Sequence, residues 1–172
     1  MNQFALWLSQ TSVSQVIQVN AWVIPTVQSI HIVAIGIVLS SVFMIDLRIL
    51  GWAGRDQALS ETTSRFFPWL SWALCVLLVT GVAMVIGEPV RELMAFSFWF
   101  KMCLVAIGTV VAVAFQRSVR RNAPQWESSL VKQRSVKSLA VLTLLVWASV
   151  VVLGRLIAYD HVWGSWSMAP KL

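Results

Sequence analysis

The chain has 172 residues, of which 58% are hydrophobic and only 12% carry a charge, too few for the surface of a water-soluble globule. Soluble domains carry about 25% charged residues, so these proportions favour a membrane protein with a single domain. The net charge of +6 does not indicate a nucleic-acid partner, because the basic residues cluster in two connections between apolar segments.

The N-terminal segment, residues 1–28, precedes the first long apolar stretch. Its first 22 residues contain no charged side chain, and they lack the basic start and continuous apolar centre of a signal peptide. Apolar residues recur there at roughly helical spacing, which is typical of a helix lying flat on a membrane surface. We therefore predict an interfacial helix on the outer face of the membrane.

Four apolar segments follow, and each has the roughly 20 residues needed to cross a bilayer. We predict helices over residues 29–50, 67–87, 96–116 and 139–159. Pro25 and Pro68 would lie at helix entries, where proline is tolerated. The predicted fold is an all-α integral membrane four-helix bundle over residues 29–159, followed by an outer C-terminal tail over residues 160–172.

The basic residues predict the orientation of the bundle. Nine of the thirteen Lys and Arg residues lie in the connections after the first and third segments: Arg48, Arg55, Arg65, Arg117, Arg120, Arg121, Lys132, Arg134 and Lys137. Because basic loops stay on the cytoplasmic side, we expect both termini on the periplasmic side of a bacterial inner membrane.

Four ionisable residues are predicted to share one layer near the outer face. At about 1.5 Å of rise per residue, His31 lies about 28 Å, Lys101 about 23 Å and Arg155 about 24 Å above the cytoplasmic helix ends. His161 follows just beyond the last helix. Intramembrane ionisable residues usually mark function. The simpler interpretations are that the long basic side chains reach the interface, that His31 is a packing residue, and that His161 belongs to an interfacial loop.

Imidazole together with fixed cations suits haem b. A histidine supplies an axial iron ligand, basic side chains neutralise the propionates, and helical bundles commonly enclose cofactors. His31 would be one ligand, with His161 or a methionine as the other, while Lys101 and Arg155 would compensate the propionate charge. This arrangement predicts electron transfer, with a quinol or a redox protein as partner.

Copper is the alternative cofactor, because thioethers and imidazole select Cu(I). Four methionines are expected on the outer side: Met84, Met94, Met102 and Met168. Methionine is also a common gap-filler in cores, and no MxxM or MxxxM spacing is present. A third interpretation is a non-catalytic membrane subunit or assembly factor. No catalytic motif such as GxSxG or HExxH is found, so whether the chain is an enzyme stays open, as does a homo-oligomeric state.

Other polar and small residues favour structural roles. Asp46 and Arg48 are expected to pair with each other or with basic loop residues at the cytoplasmic rim. Gly36 and Ser40 have the GxxxS spacing that can bring membrane helices close. Cys75 and Cys103 lie in apolar runs without CxxC spacing, and we expect both to be inert core thiols.

The chain resembles a family of small four-helix bacterial inner-membrane proteins whose function is not established. The resemblance rests on His31 and Gly36, DLRILG at 46–51, Thr80-Gly81, FWFK at 98–101 and GRLIAY at 154–159. The arrangement is also similar to the CopD-type and HemJ-type membrane proteins, which associate it with haem b or copper. That similarity implies a ligand role for His31 and a supporting role for Lys101, whereas His161 lies outside the pattern.

Overall fold

The computed structural model describes residues 2–54, 56–132 and 134–157, and the chain is all-α. Its helices are α1 (Asn2–Ser9), α2 (Ser12–Val19), α3 (Val23–Leu50), α4 (Leu59–Gly87), α5 (Pro89–Met94), α6 (Phe96–Arg121), α7 (Ala123–Lys132) and α8 (Arg134–Ile157).

Four of these helices are long and apolar enough to cross a membrane: α3, α4, α6 and residues 136–157 of α8. Each contains an 18-residue window with a mean hydropathy of 2.1 to 2.3. Their outward faces carry large apolar side chains such as Leu78, Val110 and Leu145, which would be unfavourable in water and suit contact with lipid. The predicted all-α four-helix bundle is confirmed, and the chain is a multi-pass membrane protein.

The helices run alternately up and down. Residues 51–58 join α3 to α4, and α7 lies between α6 and α8; we call this side of the bundle the basic end. The short helix α5 joins α4 to α6 at the opposite side, the α5 end. Helix α3 packs against α4 and α8, and α6 packs mainly against α8. Helix α3 is therefore central to the bundle.

The membrane-spanning helices are longer than the spans predicted from hydropathy, since α3 begins at Val23, α6 ends at Arg121 and α8 begins at Arg134. Helix α4 begins at Leu59, not near residue 67, so Pro68 lies inside the helix. Leu59 is fully buried, and the Glu61 carboxylate accepts a hydrogen bond from the backbone N–H of Ala58 at 3.3 Å. The added turns are polar in sequence and would lie beyond the apolar span. Hydropathy does not predict these turns, because it marks only the apolar part of the helix.

Helix α7 occupies part of the connection predicted as a polar loop. Its Trp126 packs edge-on against Phe115 of α6, with ring centroids 5.2 Å apart. The Trp126 indole N–H donates a hydrogen bond to the Ser118 hydroxyl at 3.0 Å. Trp126 therefore attaches α7 to the basic end of α6.

The N-terminal segment forms two short helices that lie against the α5 end. Helix α1 contacts α5, and α2 contacts α4. The Gln18 side-chain amide donates a hydrogen bond to the Gly87 carbonyl at 3.0 Å, and Gly87 lies so close to Ile17 and Ile24 that a Cβ there has no room. Placement of this segment on the membrane surface stays a prediction.

The core consists of two clusters of buried apolar residues. One lies near the basic end and includes Ile49, Leu59 and Val119. The other lies further along the bundle, around Val38, Val42, Leu70, Ala73 and Trp147. Both contain residues of α3, α4 and α8, or side chains packed against them, so one core runs along the bundle axis.

Tight helix packing occurs at Gly108 and not at Gly36. A Cβ on Gly108 would lie 3.3 Å from Trp147 Cζ2, whereas a Cβ on Gly36 would meet nothing within 4 Å. Gly36 and Ser40 are both exposed, so the predicted close approach at their GxxxS pattern is wrong within this chain. The prediction that Cys75 and Cys103 are core thiols is also wrong, because both face outward.

Candidate functional site

His31 lies on the buried stripe of α3. That stripe continues at Ala34, Val38 and Val42, the spacing of one helical face. The His31 side chain is 9% exposed, and its Nδ1 lies 2.7 Å from the Thr80 hydroxyl oxygen on α4. A polar contact therefore joins the two helices that pack most extensively against each other.

The hydrogen bonds of Thr80 bear on which imidazole nitrogen carries the proton. The Thr80 hydroxyl lies 2.7 Å from the Val76 carbonyl, to which it can donate. A hydroxyl has a single proton, so with that donation made, its contact with His31 fits a tautomer protonated at Nδ1. The Nε2 atom of His31 is then left with a lone pair. A histidine whose Nδ1–H is held by a neighbouring acceptor has the usual form of a metal ligand.

Gly81 lies beside the imidazole ring. A Cβ at this position would be 3.8 Å from His31 Cε1, which is ordinary van der Waals contact. An alanine would fit, but a larger side chain would compete with the ring for space. The Thr80-Gly81 pair thus places a hydroxyl oxygen next to Nδ1 of His31 and a small residue next to Cε1.

Lys101 brings a positive charge close to His31 from α6. Its side chain crosses Gly154 of α8, where a Cβ would lie 3.6 Å from Nζ. The ammonium interacts electrostatically with His31 and with Glu92 of α5. A Cβ at Gly154 would be in ordinary van der Waals contact with the lysine stem, so Lys101 of α6 lies against α8 at this position.

Glu92 is the buried acid of this site, with an exposed fraction of 5%. One carboxylate oxygen lies 3.3 Å from Nη2 of Arg91, and Arg91 also pairs with Glu88. Burial of an unpaired charge is costly, so Lys101 and Arg91 together compensate the two acids. The Arg91–Glu88 pair links α5 to the end of α4.

The structure thus brings together His31, Thr80, Glu92 and Lys101, which we call the polar cluster. Each residue comes from a different helix. The cluster combines an imidazole, a buried carboxylate and an ammonium group. Such a set can coordinate a metal through Nε2, bind an anionic group through Lys101, or pass a proton between acid and base.

The remaining candidates are distributed differently. Arg155 is exposed on α8, next to Gly154, and His161 lies outside the described residues. Among the methionines proposed for copper, Met94 is 4% exposed and Met102 is 40% exposed, Met84 is half-buried, and Met168 also lies outside the described residues. Within residues 2–54, 56–132 and 134–157, no group of three or more His, Cys, Asp or Glu side chains is placed to hold a metal ion.

Asp46 and Arg48 do not form the pair predicted at the rim. Arg48 Nε donates a hydrogen bond to the Gln57 carbonyl at 2.7 Å and so holds the connection to α4. Asp46 is 4% exposed, and its Oδ2 has no hydrogen-bond partner. Two residues span about 200° around a helix, so the two side chains leave α3 on opposite faces.

Sequence reasoning missed Thr80 as the partner of His31 and Glu92 as a buried acid. Thr80 enters the prediction only through the Thr80-Gly81 motif, and Glu92 lies in the connection between the second and third predicted segments. A usable signal was available for Glu92, because it lies nine positions before Lys101 at the same end of the bundle. No comparable signal predicts which way the Thr80 side chain points, because that direction depends on how α3 packs against α4.

Comparison with known proteins gives one family. The model of a family of unknown function, DUF6644, matches residues 6–160, a range that includes the polar cluster and Asp46. No curated protein and no solved structure matches the chain. Because the match covers most of the sequence, the chain belongs to the DUF6644 family, whose function is unknown.

Proposed function

We propose that this protein binds haem b at the polar cluster and transfers electrons within the membrane. The observation that carries this proposal is the buried His31 imidazole, whose Nδ1 lies 2.7 Å from the Thr80 hydroxyl. With the proton on Nδ1, the lone pair of Nε2 would be available to iron. Haem iron is held by axial side chains of this kind, and a second-shell hydrogen bond of this kind orients the ring and raises its basicity.

The few side chains available as ligands favour a metal ion that is already held by an organic chelator such as a porphyrin. In the part of the chain that the structure describes, protein side chains offer no three-residue His, Cys, Asp or Glu group. Haem needs only one or two axial ligands because the porphyrin supplies the others. When bound it would supply one-electron redox chemistry. His31 would hold the iron, with His161 or a methionine as the candidate second ligand.

The positive charges near His31 suit the propionates of haem. Lys101 interacts electrostatically with His31 and would exchange part of its interaction with Glu92 for a propionate. Arg155, one residue from the glycine that Lys101 crosses, is the second candidate for this role. A cofactor at the α5 end would exchange electrons with a quinol or a redox protein on that side of the membrane.

An absorption spectrum of the purified full-length protein tests this proposal. We expect a Soret band, with sharp α and β bands after reduction, and about one haem per chain if His31 and His161 are both ligands. Metal analysis of the same sample measures copper. A colourless protein with stoichiometric copper would identify copper, and not haem, as the cofactor. A colourless protein without metal would contradict both cofactors.

A structural role is the second candidate function, and the buried Glu92 favours it. Glu92 pairs with Arg91 in α5 and interacts electrostatically with Lys101 of α6, and neither interaction needs a ligand. In this case the polar cluster would lock the α5 end of a membrane subunit or assembly factor. The prediction that separates the two is a folded, monodisperse protein with no haem and no copper.

We further propose that the α5 end faces the periplasm of a bacterial inner membrane. Labelling with a membrane-impermeant maleimide tests this orientation in cells, after both native cysteines are replaced by serine. Gln10→Cys and Ser128→Cys place single thiols at exposed positions at the α5 end and the basic end. We expect Gln10→Cys to react in intact spheroplasts and Ser128→Cys to react only after permeabilisation. The reverse pattern would contradict the topology.

A further inference from the structure

One face of α6 is apolar along the membrane span and ends in arginines. Helix α6 is the least buried of the four membrane-spanning helices, and Cys103, Val110 and Arg117 are all exposed on it. Successive members of this series are separated by about two helical turns, so they lie on one line along the helix. Ala114 and Arg121 are also exposed and repeat that spacing beside the line. We call this surface the α6 face.

The arginines begin where the apolar span ends. Arg117 is the first charged residue after Lys101 along α6, and Arg120 and Arg121 lie in the last turn of the helix. Trp126 of α7 contacts the same part of α6 from another side, and indole rings favour the membrane–water interface. The three guanidinium groups therefore lie at the depth of the lipid headgroups.

These arginines have no carboxylate partner within the part of the chain that the structure describes. The ion pairs between described residues involve Arg91, at the α5 end, whereas Arg117, Arg120 and Arg121 are exposed at the basic end. Guanidinium groups bind phosphate through paired N–H donors. Their positive charge is therefore complementary to an anion in the surrounding bilayer.

A second copy of the chain does not suit the α6 face. Two copies with the same orientation in a membrane are related by a two-fold axis along the membrane normal, and such a contact brings the same patch of each copy together. Arg117 and Arg121 would then meet their own counterparts, and like charges placed together at an interface are unfavourable. A neutral lipid would cover the apolar stripe but would leave the arginines without a counter-charge.

We infer that an anionic phospholipid binds along the α6 face. Its acyl chains lie on the apolar stripe from Cys103 to Ala114, and its phosphate lies on Arg117 and Arg121. These two residues are one turn apart, with about 6 Å of rise between them, so one phosphate can accept hydrogen bonds from both guanidinium groups. Since α6 packs mainly against α8, the lipid adds contacts to a helix with little other support and stabilises the folded protein.

The test is the thermal unfolding of the purified full-length protein in detergent, with added phosphatidylglycerol or with phosphatidylcholine of the same acyl chains. A ligand that binds only the folded state raises the unfolding midpoint with its concentration. We expect phosphatidylglycerol to act at lower concentration than phosphatidylcholine, and we expect this preference to shrink at high salt, which screens exposed charges. Equal midpoints in the two lipids at every concentration would overturn the proposal without any variant.

Two variants locate the lipid on the α6 face. The double substitution Arg117→Gln/Arg121→Gln should raise the half-saturating concentration of phosphatidylglycerol roughly 30-fold, from about fivefold for each basic side chain near an anionic lipid. Arg65→Gln, which changes an exposed arginine of α4 at the same end, should leave that concentration unchanged. A preference for phosphatidylglycerol that persists in the double variant would contradict the assignment of the phosphate to Arg117 and Arg121.

Two further measurements separate the lipid from other occupants. Glycerol phosphate carries a phosphate without acyl chains and should not raise the midpoint; if it stabilised the protein as much as phosphatidylglycerol, the arginines would bind a soluble anion and not a lipid. Oxidative cross-linking of Cys103 in a Cys75→Ser variant probes the face for a second copy. We expect the chain to stay monomeric in native membranes, and a disulfide-linked dimer in high yield would overturn the proposal.

Discussion

Replacing His31 with alanine is expected to remove nearly all haem from the folded protein. The bond from iron to Nε2 is directional, and no other imidazole lies in the described part of the bundle. Alanine deletes this ligand and also leaves the Thr80 hydroxyl without the N–H that it accepts from. The measurement is haem retained per folded chain, from the Soret absorbance of a monodisperse chromatographic peak.

Three variants separate a ligand from a packing residue. His161→Ala should retain more haem than His31→Ala, because residue 161 follows the last predicted helix. Ser41→Ala alters another buried polar residue of α3, 3% exposed, and should retain full haem. Thr80→Val should weaken haem binding roughly 10- to 100-fold, the usual cost of losing a second-shell partner.

The assignment of His31 would be wrong if His31→Ala kept full haem with an unchanged spectrum. His31 would then be a packing residue, and the Thr80 contact would join α3 to α4 without a cofactor. If His31→Ala loses haem while Thr80→Val behaves as wild type, His31 is still the ligand. The Thr80 hydroxyl would then not be needed to orient the imidazole. These outcomes remain distinct because each variant is scored per folded protein.

Gly108→Leu is expected to destabilise the bundle by about 1–3 kcal/mol, the usual cost of overpacking a core. A Cβ alone would lie 3.3 Å from Cζ2 of Trp147 and 3.4 Å from Cε2. These are atoms of a rigid indole, which cannot rotate its end away as an aliphatic chain can. Trp147 is 3% exposed and belongs to the core cluster around Val38 and Leu70. Its displacement would therefore separate α6 from α8 and disturb α3.

Gly36→Leu is the matched control, because the same substitution is made in another membrane-spanning helix. A Cβ at Gly36 meets nothing within 4 Å, so the stability of the monomer should change by less than about 0.5 kcal/mol, as is usual for surface substitutions. Thermal or denaturant-induced unfolding in detergent measures both variants. Equal destabilisation by the two, or none at Gly108, would contradict the packing described for Trp147.

The sequence by itself determined the class of fold and the number of membrane crossings. Both follow from local composition, because about 20 apolar residues in a row leave few alternatives to a spanning helix. The heights of His31 and Lys101 were equally accessible, since the rise per residue is constant along a helix. The start of α4 at Leu59 could not be predicted from the sequence, because polar turns beyond the apolar span resemble a loop in hydropathy. They are recognisable only from the burial of Leu59 against the bundle.

Only the tertiary structure decided which way the polar side chains face and what they meet. A small rotation of α4 would turn Thr80 away from His31 without changing the hydropathy of the segment. Glu92 resembled a loop acid until α5 placed it where it interacts electrostatically with Lys101, and Asp46 resembled a partner of Arg48 until packing buried it. Hydropathy places a residue along the helix axis, whereas its direction around that axis depends on the neighbouring helices, and the chemistry of the polar cluster depends on that direction.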